Sequence, residues 1–339
     1  MLRVGIIGLG DISKIHLAAI NENAHAELTA ACDIDPLLEN SVKGVPFFTD
    51  YQAMLDEIVL DCVHICLPHY LHYPAAKAAV ENGVHVILEK PLAHHVTDSR
   101  AIVELEEQHP DVKICVSLQN RLNETVEELA SIIASGKYGE VKGVKGIVTW
   151  HRPKSYYDAK PWRGSMELAG GGVMINQSIH TLDLLQWLGG KIDSIRGSID
   201  CLLDYGYEVE DTATAHIKYQ NGATGLFFAT NSNSENSSVE FQVNLKKAIL
   251  TIKDSILTIT NENGKKVRLA EDRKLPGTKF YYGASHVKLI DQFYQAIMED
   301  SNEYIHVKDA QISMEMIHLI RESSDTKQTM KMNLFHDQT

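Results

Sequence analysis

Lys90 stands between Glu89 and Pro91 at the end of an apolar run, Val84 to Leu88. An ammonium at a strand end can stabilise a developing alkoxide or relay a proton. The proline fixes the local turn, and Glu89 is placed to orient the charge. A second group is Asn176, His180 and Asp183, which follow the cluster Gly170-Gly171-Gly172. Spacings of four and three put all three on one face of a helix, and a carboxylate beside an imidazole raises its basicity and fixes its tautomer. His180 is therefore a candidate proton acceptor. The strongly apolar surroundings argue for a buried polar face directed into a cleft rather than a stripe on a surface helix.

A third group sits at the N-terminus. Gly8-Leu9-Gly10-Asp11-Ile12-Ser13 directly follows an apolar run and opens a helix-like segment. Gly8 permits a tight turn, Gly10 lets the backbone approach a pyrophosphate, and the helix N-terminus favours the anion. Ser13 replaces the usual third glycine, and its hydroxyl could face a phosphate. Asp33 ends the second apolar run, where its carboxylate would accept hydrogen bonds from ribose hydroxyls and repel a 2′-phosphate, so NAD is favoured over NADP. Asp35 is assigned to capping the next helix because Pro36 follows it.

These residues need a frame. Leu2 to Leu9, Leu28 to Asp33, Cys62 to Leu67, Val84 to Leu88 and Ile114 to Leu118 read as strands, with helices at Ile12 to Asn21, Pro74 to Asn82 and Asp98 to Glu107. Apolar strands alternating with helices predict a doubly wound parallel sheet of α/β class. At its carboxyl edge lie Leu67, Pro68, His69 and His72 as well as Glu89 and Lys90, where ligands bind in such sheets. Beyond a boundary near residue 120 a helix covers Asn123 to Ser135, and a loop rich in Tyr, Lys, Pro and Trp, Arg152 to Arg163, leads to the glycines. The period then alternates in seven runs from Ile192 to Ala270, with hairpin signals at Asn221-Gly222 and Asn261 to Gly264. This predicts a second domain, 121–339, with an open and largely antiparallel sheet closed by two helices, about Ser285 to Glu299 and Lys308 to Glu322. An uncovered sheet face predicts a homodimer or homotetramer.

Composition narrows the possibilities. The chain has 339 residues, 44% of them hydrophobic and 23% charged, with a formal net charge of -13. That length suggests two domains, and an acidic surface without a basic run argues against nucleic acid and membrane as partners. The five cysteines read as buried thiols in a reducing, cytoplasmic setting. His64, His94 and His95 read as structural or solvated, and no spacing of histidines or cysteines suggests a metal site.

The turn at Gly8, the Glu89-Lys90-Pro91 motif and the glycine cluster followed by His180 and Asp183 together resemble the Gfo/Idh/MocA oxidoreductases. The resemblance implies a Rossmann domain joined to a domain with an oligomer-forming open sheet. It places Lys90 and His180 on catalytic positions and Pro68, His69, Glu89, Gln119, Trp162 and Arg163 on or near cofactor contacts. Asn176 departs from the aspartate of inositol and several sugar dehydrogenases of the family. An amide cannot take up a proton, so Asn176 is expected to bind a substrate hydroxyl. Tyr156 and the loop to Arg163 are expected to position the substrate, and Tyr281 and Tyr282 to reach the same cleft. The expectation is an NAD-dependent dehydrogenase acting on a carbohydrate-like secondary alcohol. The rivals are a glycosidase using NAD transiently and a non-catalytic sensor.

Overall fold

The computed structural model describes residues 1–273 and 285–333. They form two compact units, residues 1–119 with 285–311 and residues 120–273 with 312–333.

The first unit holds six strands: β1 (Leu2–Ile7), β2 (Ala26–Cys32), β3 (Phe47–Phe48), β4 (Cys62–Ile65), β5 (His85–Leu88) and β6 (Ile114–Val116). All pairs are parallel, in the order β3-β2-β1-β4-β5-β6. Every residue from Val4 to Ile7 and from Cys62 to Ile65 is buried, as expected of strands covered on both faces. The chain leaves β1 first toward β2 and later toward β4. The carboxyl ends of β1 and β4 therefore flank the point where the winding reverses, the ligand-binding position of doubly wound sheets.

Asp35 caps the short 3-10 helix Pro36–Val42, accepting from Leu37 N–H at 3.0 Å. Helix Tyr51–Glu57, too short to show an apolar period, was not evident in the sequence; Asp50 caps it by accepting from Gln52 N–H. Helix Ser285–Met298, expected with the second domain, belongs to the first unit. Its buried face of His286, Leu289, Ile290, Phe293 and Tyr294 packs toward helix Ser13–Glu22, and Asn23 donates to Asp291 at 3.0 Å. Chain order does not reveal which sheet an amphipathic helix covers.

The second unit is built on β7 (Val141–Thr149), β8 (Ile192–Asp200), β9 (Thr212–Tyr219), β10 (Thr224–Thr230), β11 (Glu240–Leu245), β12 (Ala248–Lys253), β13 (Ile256–Asn261), β14 (Lys266–Glu271) and β15 (Met330–Lys331). Their order is β14-β13-β12-β11-β7-β10-β9-β8-β15, antiparallel except for β7 and β10. The central strand β7 was missed because Gly143, Gly146 and two lysines break its alternation. Register defines the two faces. Ala215, Phe227, Gly146, Phe241, Ile252 and Leu257 lie opposite one another and are all buried, on the side where helix Ile179–Gly189 meets β7. One residue along, the row His216, Leu226, Lys145, Gln242, Thr251 and Thr258 is exposed or half-buried. Four cysteines are buried, but Cys201, just past the end of β8, is exposed, contrary to the expectation of five buried thiols, because the strand's alternation ends at Asp200.

Candidate active site

At the first unit's carboxyl edge, Gly8 adopts φ +91°, and a Cβ there would lie 2.6 Å from the Cys66 carbonyl oxygen. Only glycine fits where the ends of β1 and β4 approach so closely. Gly10 carries the turn onward and accepts a 2.7 Å hydrogen bond from the buried Ser13 hydroxyl, which therefore braces the turn instead of facing a phosphate. Asp11 is exposed and Ile12 half-buried at the mouth of the helix. Asp33 is half-buried; its Oδ2 accepts from Leu9 N–H at 2.7 Å and its Oδ1 from Asp35 N–H at 2.9 Å. The carboxylate is thus held against the glycine turn. A glycine-only turn, a helix N-terminus and an oriented carboxylate at the end of β2 fit the pyrophosphate and ribose of NAD.

Leu67, Pro68 and His69 follow β4, and Gln119 lies buried just past β6. His72 does not serve as the expected cofactor contact. It is fully buried, with Nδ1 2.7 Å from the Pro91 carbonyl and Nε2 2.9 Å from the Leu67 carbonyl, so it ties together the loops after β4 and β5. Lys90 is half-buried, whereas Val86 to Glu89 and Pro91 to Ala93 are all buried. In this segment Lys90 is the one residue that is not buried.

Behind it lies a cluster that sequence reasoning missed. Glu89 Oε1 is 2.9 Å from His16 Nε2 and 3.7 Å from His286 Nε2. His16 Nδ1 is 2.8 Å from His64 Nδ1, and His64 Nε2 is 2.7 Å from the Tyr294 hydroxyl. None of the five residues is more than 5% exposed. The available signal was His64 in the otherwise apolar β4, since a buried imidazole must find partners. Burial pushes Glu89 up, but the His16 hydrogen bond and the charges of His16, His286 and Lys90 outweigh it and bring the carboxyl down to about 2.

In the second unit the glycine cluster is a close-packing device. Gly171 has φ +149°, and a Cβ there would collide with the Arg321 guanidinium; one on Gly172 would collide with the Glu210 carbonyl. That carbonyl accepts from Val173 N–H at 2.9 Å, and the buried Glu210 carboxylate accepts from Met174 N–H at 3.2 Å and from Arg321 at 3.3 Å. The next turn, Val173–Gln177, is widened: Ser178 N–H bonds to the carbonyl of Val173, five residues back. The α-helix begins only at Ile179. The continuous helical face expected for Asn176, His180 and Asp183 is therefore interrupted. From Gly171 to Gln186 all residues are buried except Asn176 and His180, which are half-buried.

Asp183 does not pair with His180. It is 1% exposed, receives two bonds from Arg121 at 2.8 and 2.7 Å, and accepts a third from Gln186 at 3.1 Å. With its oxygens so occupied it is a structural anion and not a substrate ligand. Tyr156 is half-buried, with the Arg163 guanidinium 4.2 Å from its ring centre and donating to its carbonyl at 3.1 Å; Trp162 is on the adjoining 3-10 turn. Gln177, which the sequence reading overlooked, donates to the Tyr156 hydroxyl at 3.1 Å and accepts from the buried Asn231 at 3.0 Å. Tyr281 and Tyr282 lie outside the described residues. Among the described residues no group of three or more His, Cys, Asp or Glu side chains is placed to hold a metal ion, and no helix is long and apolar enough to cross a membrane.

Comparison with known proteins agrees with this fold. Residues 2–117 match the oxidoreductase family described by its NAD-binding Rossmann fold, and residues 126–251 match the GFO/IDH/MocA C-terminal domain. A 1-carboxy-3-chloro-3,4-dihydroxycyclohexa-1,5-diene dehydrogenase of Comamonas testosteroni is 27% identical over 65% of this chain, and the match spans 56% of that relative's length. A levoglucosan dehydrogenase of Pseudarthrobacter phenanthrenivorans is 24% identical over 71% of each chain. The crystal structure of the WlbA dehydrogenase from Bordetella pertussis, in complex with NADH and UDP-GlcNAcA, superposes with a TM-score of 0.84 at 26% identity, covering 98% of this chain and 99% of that one. With an NAD-binding Rossmann unit followed by the matching C-terminal domain, the chain belongs to the GFO/IDH/MocA oxidoreductase family.

Proposed function

We propose that the protein reversibly oxidises a secondary hydroxyl of a sugar, polyol or related cyclic substrate. The observation that carries this reading is selective exposure. From Val86 to Ala93 Lys90 alone is not buried, and Asn176 and His180 alone are not buried among the sixteen residues from Gly171 to Gln186. NAD, when bound, supplies the hydride acceptor, held by Gly8, Gly10, Asp11, Ile12 and Asp33, with Leu67, Pro68, His69, Glu89, Gln119, Trp162 and Arg163 as further contacts.

His180 takes the proton of the substrate hydroxyl, and the Lys90 ammonium stabilises the alkoxide as it forms. Asn176 offers an amide to a neighbouring hydroxyl but cannot accept the proton. Tyr156, fixed through Gln177, positions the ring. Support for a carbohydrate-like substrate comes from the relative named levoglucosan dehydrogenase and from the WlbA complex with UDP-GlcNAcA. A homodimer or homotetramer through the second unit's sheet is supported by the exposed Leu226 on β10 and Ile249 on β12, which share that sheet's less buried face. A reducing, cytoplasmic setting is supported by five unpaired cysteines.

The test is a screen of the full chain with NAD and with NADP against sugars, inositols and sugar nucleotides, read by absorbance of the reduced nicotinamide. Turnover with NAD that falls by about 10²–10⁴ in Lys90→Met establishes the reading. Tight NAD binding without net reduction of cofactor on any substrate overturns it in favour of redox-neutral use or sensing.

A further inference from the structure

The cluster behind Lys90 has a countable set of protons. Glu89 accepts, so His16 Nε2 carries a proton. The two Nδ1 atoms of His16 and His64 are 2.8 Å apart, so one proton lies between them. At the far end, 2.7 Å separates His64 Nε2 from the Tyr294 hydroxyl, and either group can be the donor. If the ring donates, the two histidines share three protons over four nitrogens and one is an imidazolium that cancels Glu89. If the hydroxyl donates, they share two and both are neutral, so the full Glu89 charge is left to act on the charge of Lys90, the next residue in the chain. The two states have the same heavy-atom arrangement and differ by one proton.

We propose that His16 is a positioning residue for Lys90, acting through Glu89: the buried chain Glu89–His16–His64–Tyr294 gains or loses one proton and thereby decides whether Glu89 is neutralised by His16 or by the Lys90 ammonium. With the third proton present, Glu89 no longer holds the ammonium as its counter-ion and Lys90 gives up a proton more readily. Without it, Lys90 is held charged. The inference rests on the reading of Lys90 as the catalytic cation.

The groups facing His16 agree with the three-proton state near neutrality. They are Glu89 after β5, His64 and Cys66 from β4 and its end, and His286 from helix Ser285–Met298; Tyr294 faces His64, and the Lys90 charge acts on Glu89 and His286. Burial opposes charge on His16, and the Glu89 carboxylate 2.9 Å from its Nε2 favours it and holds it above the usual imidazole range. Since burial also keeps Cys66 a thiol, the carboxylate is the anion that matters. Burial and then the His16 charge push His64 well down, and burial takes His286 down to about 4, so neither competes for the proton.

His16→Gln keeps an N–H for Glu89 but cannot carry charge. It is expected to move the alkaline limb of kcat, set by loss of the Lys90 proton, upward by about one to three pH units while KM for NAD is unchanged. A limb that stays in place as kcat falls marks a merely structural role and overturns the proposal. The second measurement needs no variant: nitrogen-15 histidine NMR of the wild-type chain counts ring protons on His16 and His64. Three near neutral pH, falling to two as pH rises, supports the proposal; a constant two overturns it. This count requires neither substrate nor turnover. Should Lys90→Met leave turnover intact, the positioning role falls with the functional reading, and the count still reports the state of His16.

Discussion

Asp183 grips Arg121 through two nearly equal hydrogen bonds, 2.8 Å from Nε and 2.7 Å from Nη2, and the two side chains are 1% and 8% exposed. A bidentate pair this well buried leaves the carboxylate little capacity to act on the imidazole three residues before it. Asp183 is therefore not the partner of His180 that the sequence spacing suggests.

Removing one member of this pair leaves an uncompensated buried charge. Arg121→Met is expected to destabilise the chain by about 3–5 kcal/mol, and Arg121→Met combined with Asp183→Leu to recover much of that loss. Denaturant midpoints of the two variants and the wild type check this. Were Asp183 a partner of His180, Asp183→Asn would lower kcat without moving the midpoint.

Gly172→Ala forces a methyl onto the carbonyl of Glu210, which already accepts the Val173 N–H. Overpacking against backbone is expected to cost about 1–3 kcal/mol, and the shift passes directly into the turn carrying Asn176. A lowered melting temperature with weakened substrate binding is the expected result. An unchanged melt would show that the turn yields easily.

Stability should depend on pH in a way set by the histidine cluster. His16 rises above 6.5 on folding, so its contribution is complete below pH 6.5 and is lost as pH climbs through the raised folded value. Glu89 falls from 4.5 to about 2, so its contribution is complete above pH 4.5 and is lost on acidification toward 2. His286 falls from 6.5 to about 4, which subtracts stability as pH drops across that window. The maximum is expected near pH 6.5, and His16→Gln should flatten the alkaline side. Urea midpoints measured across the range decide it.

Asp33 fixes the glycine turn through Leu9 N–H, and its proposed second role is to bind the ribose. Asp33→Ala is expected to weaken NAD by roughly 10- to 100-fold, the loss of a hydrogen bond to a charged group, and to weaken NADP less. Titration of protein fluorescence with each cofactor measures the ratio. Equal losses would assign Asp33 to the turn alone.

The sequence by itself determined the parallel sheet and where its chemistry lies. Uninterrupted apolar strands have no stable home except between two helical layers, and motifs at their carboxyl ends must then share one edge. It also determined the second sheet's hairpins, because an Asn-Gly or a Gly at positive φ turns the chain through local sterics alone, as at Gly222 and Gly264. The alternating runs likewise marked which residues face a core.

Tertiary structure decided the partners of buried polar groups. Asp183 with Arg121, His72 between two loop carbonyls, and His16 among Glu89, His64 and Tyr294 join residues up to 230 positions apart. A buried donor or acceptor must be satisfied, yet nothing in its own neighbourhood says by whom. The widened turn at Val173–Gln177 and the return of helix Ser285–Met298 to the first unit have the same origin. Each is set by what packs against it, such as Glu210 under the glycines and His16 beside His286, rather than by the local order of residues.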